Sequence, residues 1–262
     1  MRQRWERLTF LHWPFEPALV QGRLPDGLTA DQFDGAAWVG LVPFFMRVAT
    51  AGGRQAPWVS RFCETNVRTY VRDAAGRTGI WFFSLDAARL GAVAVARATY
   101  RLPYFWSAMR ISSSGDQISY RCRRRYPRRA VSGGSGGSPG RAATAVGHLR
   151  VLGGDRSSGG SPGQAGTAAS HVRVLVGDRY TEGELDARDH FLTARWILFS
   201  VAGGRRRFAR AWHDPWPLHH ARALDVDDGL VRAAGLPTPT EPPLVHYSPG
   251  VDVTIGRPER LL

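Results

Sequence analysis

The chain has 262 residues, 43% of them hydrophobic and including 9 Trp, 12 Phe and 7 Tyr, which supplies a sizeable core and excludes disorder of the whole chain. All 35 basic residues are arginine and outnumber the 22 acidic ones, for a formal net charge of +13; the absence of lysine excludes covalent chemistry through a lysine amine. The charge favours an anionic partner, although arginine, alanine and glycine enrichment without lysine is also what a GC-rich genome writes.

The length suits one domain over residues 1–262, interrupted by a Gly/Ser-rich segment at about 131–170. Cys63 and Cys122 form neither a disulfide framework nor a metal-binding CxxC, and a reducing, cytoplasmic setting is expected. Residues 1–7 alternate charge around Trp5 and run into the Pro-broken stretch 8–14, so neither a signal peptide nor a membrane partner is expected.

Leu24-Pro25-Asp26-Gly27-Leu28 supplies a turn. Residues 36–48, rich in Trp, Val, Leu, Phe and Met, predict a mostly buried strand. Residues 66–72 and 78–85 predict a hairpin around 73–77. Asp86 is placed to cap a helix over 87–100 that ends at Leu102-Pro103. Residues 104–111 and 117–126 predict a second hairpin across Ser113-Ser114-Gly115-Asp116.

From 131 to 170 the composition falls to Gly, Ser, Ala and Pro, which cannot bury enough apolar surface to offset chain entropy, so a mobile insertion is expected. It holds a duplication: residues 136–156 match 159–179 at about fifteen of twenty-one positions. Two copies are too few for a solenoid, and only one can fill a native strand position. The second is favoured because it runs directly into Tyr180.

Residues 184–193 predict a short helix, and 195–202 with 205–212 a hairpin over Gly203-Gly204. A strand over 218–224 and a helix over 227–234 closed by Gly235 follow. Two last strands, 244–247 and 251–255, are expected around Ser248-Pro249-Gly250. The class is α+β, mostly antiparallel β with few helices.

An ordered series of segments carries a resemblance: Leu8-Thr9-Phe10-Leu11-His12-Trp13-Pro14, Phe33-Asp34-Gly35, Trp38-Val39-Gly40-Leu41-Val42-Pro43-Phe44, Asn66-Val67-Arg68-Thr69-Tyr70-Val71, Gly79-Ile80-Trp81-Phe82-Phe83-Ser84-Leu85-Asp86-Ala87, Leu102-Pro103-Tyr104, His190-Phe191-Leu192-Thr193, His213-Asp214-Pro215-Trp216-Pro217-Leu218 and Ser248-Pro249-Gly250-Val251. Together they resemble the uncharacterised YqjF-like bacterial family within the acetoacetate-decarboxylase-like superfamily. The resemblance implies a curved antiparallel sheet wrapped as a barrel-like cone around an internal pocket. In the superfamily's decarboxylases a buried lysine forms a Schiff base with a β-keto acid. The corresponding region lies near Tyr100-Arg101-Leu102-Pro103-Tyr104, where an arginine stays protonated and cannot replace the amine. No lysine Schiff-base decarboxylation is therefore expected.

On an extended strand Glu64, Asn66, Arg68 and Tyr70 share one face at about 6 to 7 Å spacing, with Val67 and Val71 on the other. Glu64 resembles in position a pocket glutamate of the decarboxylases and is the candidate acid or base; Arg68 suits a carboxylate. A solvated face or a structural Glu64–Arg68 pair is the competing reading. His213 is a second catalytic candidate at a Pro-constrained turn, with Trp216 as a wall or lid and Tyr104 as a further ligand contact. His12, His190 and His246 show no metal-ligand spacing, and no metal or cofactor is expected. Ser84 lacks a nucleophile elbow, and Cys63 stands next to the negative Glu64.

The leading expectation is an internal pocket for a small anionic, carboxylate-type ligand. The alternative is polyanion or nucleic-acid binding through Arg121-Cys122-Arg123-Arg124-Arg125-Tyr126-Pro127-Arg128-Arg129, with Arg205-Arg206-Arg207 elsewhere. A non-catalytic structural or interaction protein and homo-oligomerisation are left open.

Overall fold

The computed structural model describes residues 1–49, 60–91, 102–126, 168–202 and 205–261. They all fall in one compact unit, Met1–Pro127 with Thr167–Leu262; a second unit, Arg128–Gly166, lies outside the described residues. In chain order the elements are β1 (Arg2–Phe15), α1 (Pro17–Gln21), β2 (Leu28–Ala30), β3 (Gln32–Phe33), β4 (Ala36–Ala49), β5 (Arg61–Asp73), β6 (Thr78–Ala87), β7 (Tyr104–Ser114) and β8 (Gln117–Tyr126). They continue as β9 (Ala169–Arg179), α2 (Ala187–Thr193), β10 (Ile197–Ala202), β11 (Arg205–Trp212), β12 (His219–Asp228), α3 (Leu230–Ala233), β13 (Leu244–Ile255) and β14 (Glu259–Arg260).

Nine strands close a barrel: β5, β6, β7, β8, β9, β12, β13, β1 and β4 follow one another, and β4 returns to β5. Every neighbouring pair in this ring is antiparallel except β6 with β7. This closed, mostly antiparallel ring is the barrel-like curved sheet that the resemblance implies. The β10–β11 hairpin leaves the ring, lying parallel to β6 at Ile80 and Trp81 and antiparallel to β13 at Thr254 and Ile255. The wall β13–β1–β4–β5–β6 is therefore covered on both sides.

Side chains alternate across that wall with the period of two that a strand imposes. Leu11, Trp13, Val39, Leu41 and Val67 pack with Tyr120, Val172 and Val174 inside the nine-stranded ring. Leu8, Phe10, Val42, Phe44, Phe82 and Leu85 pack on the opposite face beneath Leu192 of α2 and Leu218. A bulge between Glu6 and Leu11, with Arg7 at φ 49°, lies along the part of β4 holding Pro43, which has no N–H for the ladder.

Several elements differ from expectation. The opening residues form a long strand, β1, because the flanking β4 and β13 supply partners that the Pro14-broken pattern does not reveal. Asp86 is not a helix cap: it lies in β6, and most of the expected helix over 87–100 falls outside the described residues. The two expected terminal strands are one, β13, whose Gly250 adopts φ 140° with Trp5 O where a Cβ would stand. Residues 131–167 of the expected insertion and the first duplicated copy lie outside the described residues. Ala169 and Ser170 already belong to β9, so the second copy fills the strand between β8 and β12.

Candidate functional site

The polar row of β5 is buried. Glu64, Asn66, Arg68 and Tyr70 are 2, 5, 4 and 0% exposed. They do not face the interior of the nine-stranded ring, whose core carries Val67; they share the opposite, α2-covered face with Phe10 and Phe82.

Arg68 is paired across β4 with Gly40, which is paired in turn with His12 on β1. A Cβ at Gly40 would stand 2.9 Å from His12 Cδ2 and 3.5 Å from Arg68 Cγ, so the missing side chain lets the imidazole and the arginine stem approach over bare backbone. The guanidinium lies 5.1 Å from the Phe10 ring centre. Its nearest polar partners are the Tyr70 hydroxyl and the Leu192 carbonyl, each at 3.5 Å, and its Nε has none among the described residues. No described carboxylate comes within ion-pair distance of Arg68, so no Glu64–Arg68 pair forms; a buried cation without an anion is costly.

The Tyr70 hydroxyl donates to the Leu192 carbonyl at 2.6 Å and lies 2.6 Å from His12 Nε2. The hydroxyl has one proton, so His12 Nε2–H must be the donor in the second bond. His12 Nδ1 is then a bare acceptor, and it has no described partner. Burial holds the His12 pKa well below the ordinary value, helped by Arg68 and His246.

At the other end of the row, Tyr104 donates to Glu64 Oε2 at 3.1 Å. Burial, reinforced by Asp86, raises the Glu64 pKa to about 8 against the opposing Tyr104 bond, so Glu64 is a neutral acid at pH 7. Asn66 Oδ1, between Glu64 and Arg68, is buried without a described partner. One strand thus presents a neutral acid, an amide oxygen without a described partner and a guanidinium without a described carboxylate.

The Trp216 ring lies 5.3 Å from Phe10 and 4.8 Å from His213, and its indole N–H donates to the Thr193 carbonyl. His213 is half-buried with Nδ1 at 2.7 Å from the Asp214 carbonyl oxygen, which makes Nδ1 the protonated nitrogen. Burial lowers its pKa, with Arg68 adding to the effect.

His12 is not among the site residues expected from sequence, and its bond to Tyr70 depends on β1 lying two strands from β5, which no local pattern reveals. Asp189 was missed; it caps α2 with Asp186 and lies 3.0 Å from His246 Nε2. Arg195 meets Asp31 at 3.0 Å, and its guanidinium lies 5.3 Å from the Tyr70 ring centre. His190 is exposed, and among the described residues no three His, Cys, Asp or Glu side chains converge on a metal position.

The arginine run of β8 splits. Arg124 turns inward to Asp86, bonding both carboxylate oxygens at 2.9 and 2.7 Å, with Ser107 donating to Asp86 at 2.6 Å. Arg121 and Arg123 face outward. Arg128 and Arg129 lie outside the described residues, as does Arg101.

The family DUF2071, described as an uncharacterized conserved protein, matches residues 2–252. The chain is 29% identical over 254 residues to the uncharacterized protein YqjF of Bacillus subtilis (strain 168), a match covering 97% of this chain and 89% of that protein. Among solved structures it is similar to acetoacetate decarboxylase from Legionella pneumophila, with TM-score 0.58, 11% identity and coverage of 100% of this chain and 88% of that one. The enduracididine biosynthesis enzyme MppR complexed with pyruvate gives TM-score 0.60, 11% identity and coverage of 100% and 90%. Likeness at this level of identity concerns the fold.

Proposed function

The chain belongs to the DUF2071 family, and from its acetoacetate-decarboxylase-like fold we propose that it binds a small carboxylate-bearing ligand on the buried polar row of β5. The observation that carries the proposal is Arg68, a buried guanidinium with no described carboxylate partner. A ligand carboxylate would supply the missing anion in the bidentate geometry that arginine favours. Asn66 Oδ1 and His12 Nδ1 would accept hydrogen bonds from ligand hydroxyl or amine groups, and Trp216 and Phe10 would bound its apolar part. MppR, a fold neighbour, is complexed with pyruvate, itself a small carboxylate.

In this reading Glu64 is the proton donor, because it is neutral at pH 7 and oriented by Tyr104. His213 bounds the site as a neutral imidazole. No lysine Schiff base is involved, since no lysine is present. The free thiols Cys63 and Cys122 favour a reducing, cytoplasmic setting.

A thermal-shift screen tests the binding. Small carboxylates should raise the Tm of the protein while their methyl esters do not, and Arg68→Ala should lose every such shift. An unchanged set of stabilising acids in Arg68→Ala would reject the proposal.

A further inference from the structure

The outer face of the barrel carries a furrow of about 470 Å³ across β7, β8 and β9. It lies opposite Ile118, Tyr120 and Val172, which point into the core, so it is separate from the β5 row. Two transverse rows build it. Arg110, Arg121, His171 and Asp227 stand side by side on β7, β8, β9 and β12, and Ala108, Arg123 and Ala169 form the next row on the same face. The two alanines flank Arg123 and leave the space that makes a furrow rather than a flat face.

The charges there are not matched. Arg110 and Arg121 are direct cross-strand partners, an arrangement of like charges that destabilises a sheet. Neither they nor Arg123 has an ion-pair partner among the described residues, and Asp227 is the one acid lining the furrow. The neighbouring Asp225 is taken up by Arg173 and His171. A second groove, lined by Arg2, Arg4, Arg47 and Asp252, differs: there Arg4 and Arg47 are already paired with Asp252 and Glu6.

We propose that the furrow binds a small phosphorylated molecule, its phosphate bridging Arg110 and Arg121 with Arg123 alongside, and a hydroxyl of its remainder reaching Asp227. Phosphate oxygens match the planar guanidinium fork and relieve the like-charge pair. The volume suits a compact ligand rather than a length of duplex.

Titration calorimetry with inorganic pyrophosphate tests this. The protein should bind one equivalent, more weakly at high salt. Affinity should fall at least tenfold in the Arg110→Ala/Arg121→Ala double variant, and circular dichroism should show that variant folded. Arg4→Ala and Arg68→Ala should bind as the parent does. Absence of saturable binding, full affinity in the double variant, or loss in Arg68→Ala would overturn the proposal. So would single-stranded oligothymidylate binding that strengthens with length and is not displaced by pyrophosphate, the behaviour of a general polyanion surface.

Discussion

Tyr70 fixes the tautomer of His12: its single hydroxyl proton goes to the Leu192 carbonyl, so the imidazole must present Nε2–H to it and keep Nδ1 bare. This ties β1, β5 and α2 together beside Arg68, which has no carboxylate partner among the described residues. Two-dimensional ¹⁵N NMR should find His12 neutral and protonated at Nε2 at pH 7. Tyr70→Phe should cost about 1–3 kcal/mol by leaving the buried His12 Nε2–H without its acceptor.

His12 also makes stability sensitive to acid. Its folded pKa is depressed by burial, so its contribution is full above the ordinary histidine value and is lost as pH falls through and below it. In urea unfolding, His12→Asn should therefore gain stability relative to the parent as pH falls from 7.5 to 5.

Glu64 has the opposite dependence. Its folded pKa is raised to about 8, so the stability associated with its neutral form is complete below the ordinary carboxyl value and is lost as pH rises toward 8. Glu64→Gln should therefore gain stability relative to the parent as pH rises from 5 to 8, by up to about 1.4 kcal/mol per unit. If Glu64 is the proton donor, the variant should retain carboxylate binding while losing any turnover.

Gly40→Ala places a methyl group within 2.9 Å of His12 and beside the Arg68 stem. Overpacking of this kind costs about 1–3 kcal/mol. Carboxylate-induced thermal shifts should shrink or vanish in a protein that still folds. Gly76→Ala, where nothing stands within 4 Å of the added methyl, should leave binding intact while costing about 1–2 kcal/mol of stability, because φ 77° strains any residue with a Cβ.

Asp86→Ala leaves Arg124 and Ser107 without their shared acceptor inside the barrel. A loss of about 3–5 kcal/mol is expected by chemical denaturation, the usual consequence of breaking a buried pair from one side. This result concerns the fold, since Asp86 lies on the opposite side of the wall from Arg68.

The fold was legible where alternation and turn chemistry are local. The β5–β6 and β7–β8 hairpins follow from β-rich runs around Asp73–Arg77 and Gly115-Asp116, and the shared face of Glu64, Asn66, Arg68 and Tyr70 follows from strand period alone. What sequence left hidden depends on distant partners. Asp86 before an alanine-rich run has the local pattern of a helix cap, whereas Arg124 and Ser107 make it a core acid. Nor could strand period decide which side of the barrel wall the polar row occupies, because both sides are buried. The role of Gly40 emerges only when His12 and Arg68 are brought to either side of it.

The central claim is that Arg68 is kept for a ligand rather than for the fold. The most direct measurement compares Arg68→Met with the parent in thermal unfolding, with and without a stabilising carboxylate. A buried cation lacking its counter-ion is replaced by an apolar stem of similar length, so the variant should unfold at a higher temperature without ligand and show no response to the carboxylate. A variant that unfolds at a clearly lower temperature without ligand, or that still responds to the carboxylate, would contradict the account.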